Sequence, residues 1–451
     1  MGTTFYIHIG IHKTGSTSIQ QTLFKNREEL LARGINYLSI DRNHGPVLIS
    51  LMSEVPHADP RNIRRYLDTA EKAASYNATN RQIVTELLAE NRSPKMVISG
   101  EGFSTIPAED ARRLKEMLDP YAAAYRIIVY VRDPYDYANS AALQSLKTGS
   151  TIVRAQKRPP LPKHRQKIEK YIEVFGRENV DIRIFDPARF AGGSLISDFA
   201  AALGESAQLA DSLQIVRANP SMSHEAAMIL SEANKAFPPR VGGFANRARA
   251  FGFHLVVTGI KGEKFSVDPD AYLKLEAEVA ADLAWLHGVV GEPVFARSVP
   301  RAASTARWSD ATVESIKRMV SAMAVTIRQL QTARRPSIWR SLFRKPRRYV
   351  RRLREGKDFS QASSLDLSTI ALPAGLEWLC EPLGQPAKPD ATIPCFDQAT
   401  IRSLAVFIHS LALTIERLRT ERQAAQQRGF AGRLGLQMPG ATAGRAPDIG
   451  H

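Results

Sequence analysis

The feature that most constrains this chain is a run of five apolar residues, Ile127-Ile128-Val129-Tyr130-Val131, closed by Arg132-Asp133-Pro134. Successive side chains of a strand point to opposite faces, so a half-exposed strand alternates apolar with polar residues. Nothing alternates here. Both faces must therefore be covered, which is the situation of a central strand in a parallel sheet flanked by helices. Asp133 and Pro134 suit a helix start, because a carboxylate accepts from first-turn amides and proline lacks an N–H that the first turn cannot pair. Further apolar runs at Phe5 to Gly10, Met96 to Ser99 and Val180 to Phe185, separated by helical or irregular sequence, extend this to an α/β plan.

The first run continues into His8-Ile9-Gly10-Ile11-His12-Lys13-Thr14-Gly15-Ser16-Thr17-Ser18, and then into helical spacing at Ile19, Leu23, Phe24, Leu30 and Leu31, with Gly34 as the stop. A strand-to-helix turn aims free backbone N–H groups and the positive end of a helix dipole at an anion. One lysine, one glycine and four hydroxyl residues from Lys13 to Ser18 make this turn a phosphate grip. Its order is not that of the G-x-x-x-x-G-K-[ST] loop of ATPases and GTPases, because Lys13 precedes Gly15.

Lys13-Thr14-Gly15-Ser16-Thr17 resembles the 5′-phosphosulfate loop of sulfotransferases that use 3′-phosphoadenosine 5′-phosphosulfate (PAPS), and the wider context from His8 is similar to their bacterial members. Arg132-Asp133-Pro134, with Ser140 eight positions after Arg132, resembles that family's 3′-phosphate-binding element. The resemblance covers about residues 1 to 300, taking in Tyr171 to Gly176, Val180 to Phe185 and Ser197 to Gly204. It implies a P-loop-like three-layer α/β fold, PAPS as donor cosubstrate, no metal, and in-line transfer of a sulfuryl group to an acceptor hydroxyl on a glycan or glycolipid.

On that resemblance Lys13, Thr14, Gly15, Ser16, Thr17 and Ser18 hold the 5′ end of the nucleotide, and Lys13 also stabilises the leaving group. Arg132 and Ser140 hold the 3′-phosphate at the carboxyl edge of the sheet, the arginine with two parallel hydrogen bonds. Glu101, in Ser99-Gly100-Glu101-Gly102-Phe103, stands where the family often places a catalytic glutamate, to take the acceptor's proton. His44, in Asn43-His44-Gly45, is the competing base, since a neutral imidazole accepts protons near pH 7. His8 and His12 read as residues that shape the loop. Gln144, Lys147 and Gly149 are also similar to the bacterial members, without an assigned role.

At 451 residues and 44% apolar content the chain can bury a sizeable core in two or three domains. The expected organisation is a sulfotransferase-like domain over 1–300, a helical unit over 301–332, a basic amphipathic connector over 333–357, a second helical unit over 358–427 and a disordered tail over 428–451. The second helical unit reads as a repeat of about 281–332, because Ala281 to Leu286 is echoed by Ala374 to Leu379, and Thr312 to Leu330 by Thr400 to Leu418.

The net charge is +16, and ten of those charges fall between Arg334 and Lys357, where eleven basic residues meet one acidic residue, Glu355. Ile338, Trp339, Leu342, Phe343, Tyr349, Val350 and Leu353 recur there at roughly helical spacing, which suits an anionic membrane surface; a linker packed between the two helical units and a contact with an acidic glycan are the alternatives. No nucleic-acid reading module accompanies the charge, so nucleic acid is not an expected partner. The N-terminus shows no leader pattern, and Cys380 and Cys395 are too few for a disulfide framework, so the expected place is the cytoplasm, at the inner face of the membrane if the connector binds lipid. Two other readings remain open from sequence: a P-loop nucleotide-dependent kinase, and a catalytically silent nucleotide-binding scaffold.

Overall fold

The computed structural model describes residues 2–206, 208–216, 222–241, 244–246, 248–295, 308–332, 367, 371–386 and 396–433. In chain order the main elements are β1 (Thr3–Ile9), α1 (Ser16–Lys25), α2 (Arg27–Ala32), β2 (Ile35–Tyr37), α3 (Gly45–Met52), α4 (Ala70–Ala89), β3 (Lys95–Gly100) and α5 (Ala108–Leu118). They continue with β4 (Ala122–Val131), α6 (Pro134–Lys147), α7 (His164–Phe175), β5 (Val180–Ile184), α8 (Leu195–Ala202), α9 (His224–Ala236), α10 (Glu276–Val290), α11 (Asp310–Thr332) and α12 (Gln398–Arg433). Contacts divide the chain into two units, one of residues 1–145, 153–220 and 266–303, the other of 146–152, 221–265 and 304–451. Residues 221–265, inside the first 300, thus group with the C-terminal helices.

The first unit is built on a five-stranded sheet of order β2-β3-β1-β4-β5, every pair parallel. The unbroken apolar run does what its composition requires. Ile127, Val129 and Val131 enter one hydrophobic cluster and Ile128 and Tyr130 the opposite one, all fully buried. On the first face they meet residues of α3, α4, α5, α7 and α10, and on the second residues of α1, α2 and α8. The result is the three-layer α/β fold expected from sequence. Burying a large aliphatic side chain contributes roughly 1.5–3 kcal/mol, so these five positions alone outweigh most surface interactions.

Two local features differ from expectation. The helix after the Lys13 turn is interrupted at Asn26, whose amide donates to the Thr22 carbonyl at 2.7 Å and to the Gln214 carbonyl at 3.2 Å, separating α1 from α2. Gly34, with φ of 77°, does end α2's turn as expected. The other difference is the short edge strand β2, which has no apolar run of its own.

The second unit is helical, with α12 packed against α9 and α11. Helices α11 and α12 begin 88 residues apart and bury matching positions: Val313 and Ile401, Ile316 and Leu404, Val320 and Ile408, Met323 and Leu411. The tryptophan echo is not matched in structure, because Trp285 lies inside α10 whereas Trp378 lies in a single 3-10 turn, Glu377–Leu379. Helix α12 is long and apolar enough to cross a membrane by length and composition, yet Leu404, Ile408 and Leu411 are core residues of this unit. It also runs to Arg433, into the segment expected to be unstructured, since adding residues to a formed helix is much easier than starting one. Cys380 is a buried free thiol. The basic connector over 333–357, Cys395 and the tail beyond 433 lie outside the described residues.

Candidate active site

The carboxyl ends of the three middle strands lie side by side. In register, Ile9 of β1 stands beside Gly100 of β3, and His8 beside both Ser99 of β3 and Ile128 of β4. The loops that leave these ends carry Lys13, Glu101 and Arg132, so residues about 90 and 120 positions apart share one edge, where open α/β sheets take ligands.

Between β1 and α1 the chain makes a tight turn with left-handed backbone at Lys13 (φ 69°) and Gly15 (φ 77°). A left-handed non-glycine residue costs about 1–2 kcal/mol, so something must hold Lys13 there. Arg132 donates to the Lys13 carbonyl at 2.9 Å, and the Lys13 ammonium donates to Gln144 Oε1 at 2.7 Å. Gly15 has no room for a side chain, since a Cβ there would stand 2.2 Å from a methyl of Leu195. Helix α1 starts with no side-chain cap, which leaves its first-turn N–H groups pointing to the edge of the sheet.

The hydroxyls of this turn divide. Thr14 is fully buried and donates to the Ile11 carbonyl at 2.7 Å, so its hydroxyl ties the loop and only its backbone faces a ligand role. Ser16 Oγ is buried and among the described residues has no hydrogen-bond partner. An orphaned hydroxyl at an uncapped helix start, with close-packed glycines on either side, fits a bound phosphate group. Thr17 is exposed and Ser18 half-buried.

Asp133 caps α6, its Oδ1 accepting from the N–H groups of Tyr135 and Asp136 at 3.0 Å. Ser140 lies half-buried two turns into α6, and Gln144, four residues on, shares its face. Because Gln144 holds the Lys13 ammonium, that face is turned to the loop. Arg132 is half-buried, its guanidinium 5.3 Å from the Phe185 ring centre.

Glu101 follows β3 directly. Its carboxylate meets His12 Nδ1 at 3.1 Å, and its backbone N–H donates to Asn43 Oδ1 at 3.3 Å. The His12 hydrogen bond holds the carboxyl below its ordinary value against the opposing effect of burial, helped by the charges of His12 and Lys13. The group stays ionised and ready to accept a proton.

His44 does not fit the role of competing base. It is 0% exposed, and its Nδ1 accepts the backbone N–H of Ser99 at 2.9 Å. Burial pushes its pKa down to about 3, despite the Leu38 and Asp41 carbonyls that favour the charged form. An acceptor hydroxyl cannot reach it; its neighbour Asn43 is the residue that touches Glu101. His8 is likewise buried, bonded to Ser99 Oγ at 2.8 Å, and pushed down to about 4 by burial, with Glu101 opposing. His12, Asn43 and Gln144 are site neighbours to which the sequence assigns no chemical role; their one signal is a place inside or beside the segments that carry Lys13, His44 and Ser140.

No family model matches the chain, and no curated protein matches it. Among solved structures, the crystal structure of a sulfotransferase from Alicyclobacillus acidocaldarius is similar at 17% identity and a TM-score of 0.33, covering 65% of this chain and 97% of that one.

Proposed function

We propose that this protein transfers a sulfuryl group from PAPS to an acceptor hydroxyl on a glycan or glycolipid. The observation that carries the reading is the direct bond from Arg132 to the Lys13 carbonyl. It joins the motif that resembles a 5′-phosphosulfate loop to the one that resembles a 3′-phosphate element, as a nucleotide phosphorylated at both ends requires.

When bound, PAPS supplies an activated sulfuryl group and adenosine 3′,5′-bisphosphate as the leaving group. Lys13 and the N–H groups of Gly15 to Thr17 bind the 5′ end, where negative charge grows in the transition state, and so favour it over the ground state. Ser16 Oγ gives one further donor. Arg132 and Ser140 hold the 3′-phosphate; the arginine also keeps the Lys13 turn in its left-handed form. Glu101 accepts the acceptor's proton, and His12 positions that carboxylate.

The test is binding and transfer together. Adenosine 3′,5′-bisphosphate without Mg²⁺ should raise the unfolding temperature, and radiolabelled PAPS should label an acceptor in fractionated cell extracts. Stabilisation by ATP with Mg²⁺ alone would replace this reading with a kinase, and nucleotide binding without transfer to any acceptor would leave a scaffold protein.

A further inference from the structure

Phe251 is the most exposed large hydrophobic residue among those described, at 92%, and Leu255, at 63%, is its neighbour in the second unit. A Leu255 methyl stands 3.6 Å from where a Cβ on the intervening Gly252 would be, so the leucine folds back toward the phenylalanine and the two make one patch. Apolar residues scattered singly on a surface need no explanation, but a contiguous pair held outward does. The backbone beneath this pair is fixed. The N–H of Ala250 donates to His409 Nε2 at 3.0 Å and that of Phe251 to Glu416 Oε2 at 2.9 Å, two residues on one face of α12. Phe253 and Val257, on the side of the short helix Phe253–Val257 opposite Leu255, are buried. The His409 ring stacks on Phe237 at 3.9 Å and meets Phe253 at 5.2 Å, so the space on the inner side is already filled.

Charge gathers in the same unit. Residues 146–152, 221–265 and 304–451 hold thirty basic and fifteen acidic residues, so fifteen of the sixteen net charges lie there and one in the unit that carries the sheet. Ten of the fifteen belong to the connector. Nearer the patch, Arg240 is exposed beside Val241, itself 59% exposed, in the first strand of the Arg240–Ala245 hairpin. That hairpin is tied to the patch through Asn246, whose amide donates to the Pro238 carbonyl at 2.9 Å and whose carbonyl accepts from the Arg249 N–H at 3.1 Å. Arg419, exposed one turn beyond Glu416, shares the face of α12 that holds Phe251. Apolar side chains ringed by arginines suit a lipid surface, where the former enter the headgroup boundary and the latter meet phosphates. A second copy of this chain would bring like charge against like, which disfavours self-association through this face.

We propose that the face bearing Phe251, Leu255, Arg240 and Arg419 docks on an anionic membrane surface, with the two apolar side chains inserted between the headgroups. Docking is independent of the transfer reaction. The connector, whose charge belongs to the same unit, adds attraction over a distance, while the Phe251 face fixes how that unit stands on the bilayer.

The experiment floats the full chain with vesicles of phosphatidylcholine alone or mixed with phosphatidylglycerol. The chain should rise with the mixed vesicles and stay down with the neutral ones. Phe251→Ser and Leu255→Ser should each weaken partitioning into the mixed vesicles by about tenfold, the low end of what burial of such a side chain supplies. Arg240→Gln and Arg419→Gln should each weaken it by about fivefold. Phe251→Leu, which keeps an apolar side chain, should retain flotation. All four side chains are exposed, so circular dichroism and the unfolding temperature should not change in any variant. Full flotation after Phe251→Ser and Leu255→Ser are combined overturns the proposal and leaves lipid binding to the connector, and no flotation with either kind of vesicle overturns it outright. A dimer in sedimentation equilibrium that Phe251→Ser dissociates would also overturn it, giving the patch to a second copy.

Discussion

His12 Nδ1 and Glu101 Oε1 meet at 3.1 Å although 89 residues separate them in the chain. The contact joins the β1 and β3 loops over the same edge and keeps the carboxylate ionised. The rate should therefore stay level as pH falls, dropping only below the usual glutamate value of about 4.3. His12→Leu removes both the hydrogen bond and the charge and should move that acidic limb upward, while Glu101→Gln should lower turnover by about 10²- to 10⁴-fold. A limb near neutrality in the unaltered protein would take the base role from Glu101.

On the proposed function Lys13→Ala should keep the fold and lower turnover by about 10²-fold or more, since its charge would act where the leaving group develops its own. Steady-state kinetics beside circular dichroism would measure both. Near-normal turnover with an intact fold would remove Lys13 from the chemistry.

Arg132→Lys retains the charge but cannot make two parallel bonds to a phosphate while holding the Lys13 carbonyl. Affinity for adenosine 3′,5′-bisphosphate should fall by roughly tenfold, and by more in Arg132→Ala. Calorimetry measures it directly; equal affinity in all three proteins would detach Arg132 from the nucleotide.

Part of this site is legible in the amino-acid sequence. The five-residue run ending at Val131 has one physical solution, a strand covered on both faces, and the strand-to-helix turn at Lys13 advertises itself in six consecutive residues. The rest depends on pairing across the sheet. Nothing local to His12 announces a carboxylate 89 positions away, and His44 looks available in sequence because burial cannot be read from Asn-His-Gly. The break at Asn26 is hidden for a similar reason, since its amide is drawn partly to Gln214, 188 residues distant.

His8 and His44 are held neutral by burial, with pKa values of about 4 and about 3 against 6.5 for an ordinary imidazole. The unfolded chain takes up these protons below about pH 6.5 and the folded chain does not until about pH 4, so acid favours unfolding across that window. Each histidine should cost roughly 1.4 kcal/mol of stability per pH unit there. Urea unfolding followed from pH 7 to pH 4 measures the slope, and His8→Asn should flatten it. A slope unaltered by that substitution would mean that His8 is not held neutral.

The middle position of β1 also sets when in the life of the chain this site can exist. β1 is made before both strands that flank it, which follow about 90 and 120 residues later, and domains generally form as units. A nascent chain that ends before β4 has neither Arg132 to hold the Lys13 carbonyl nor Gln144 to hold its ammonium. If the proposed function holds, nucleotide capture waits on translation of β4 and α6, and a chain stalled before residue 131 should pass over a bisphosphate resin without being retained.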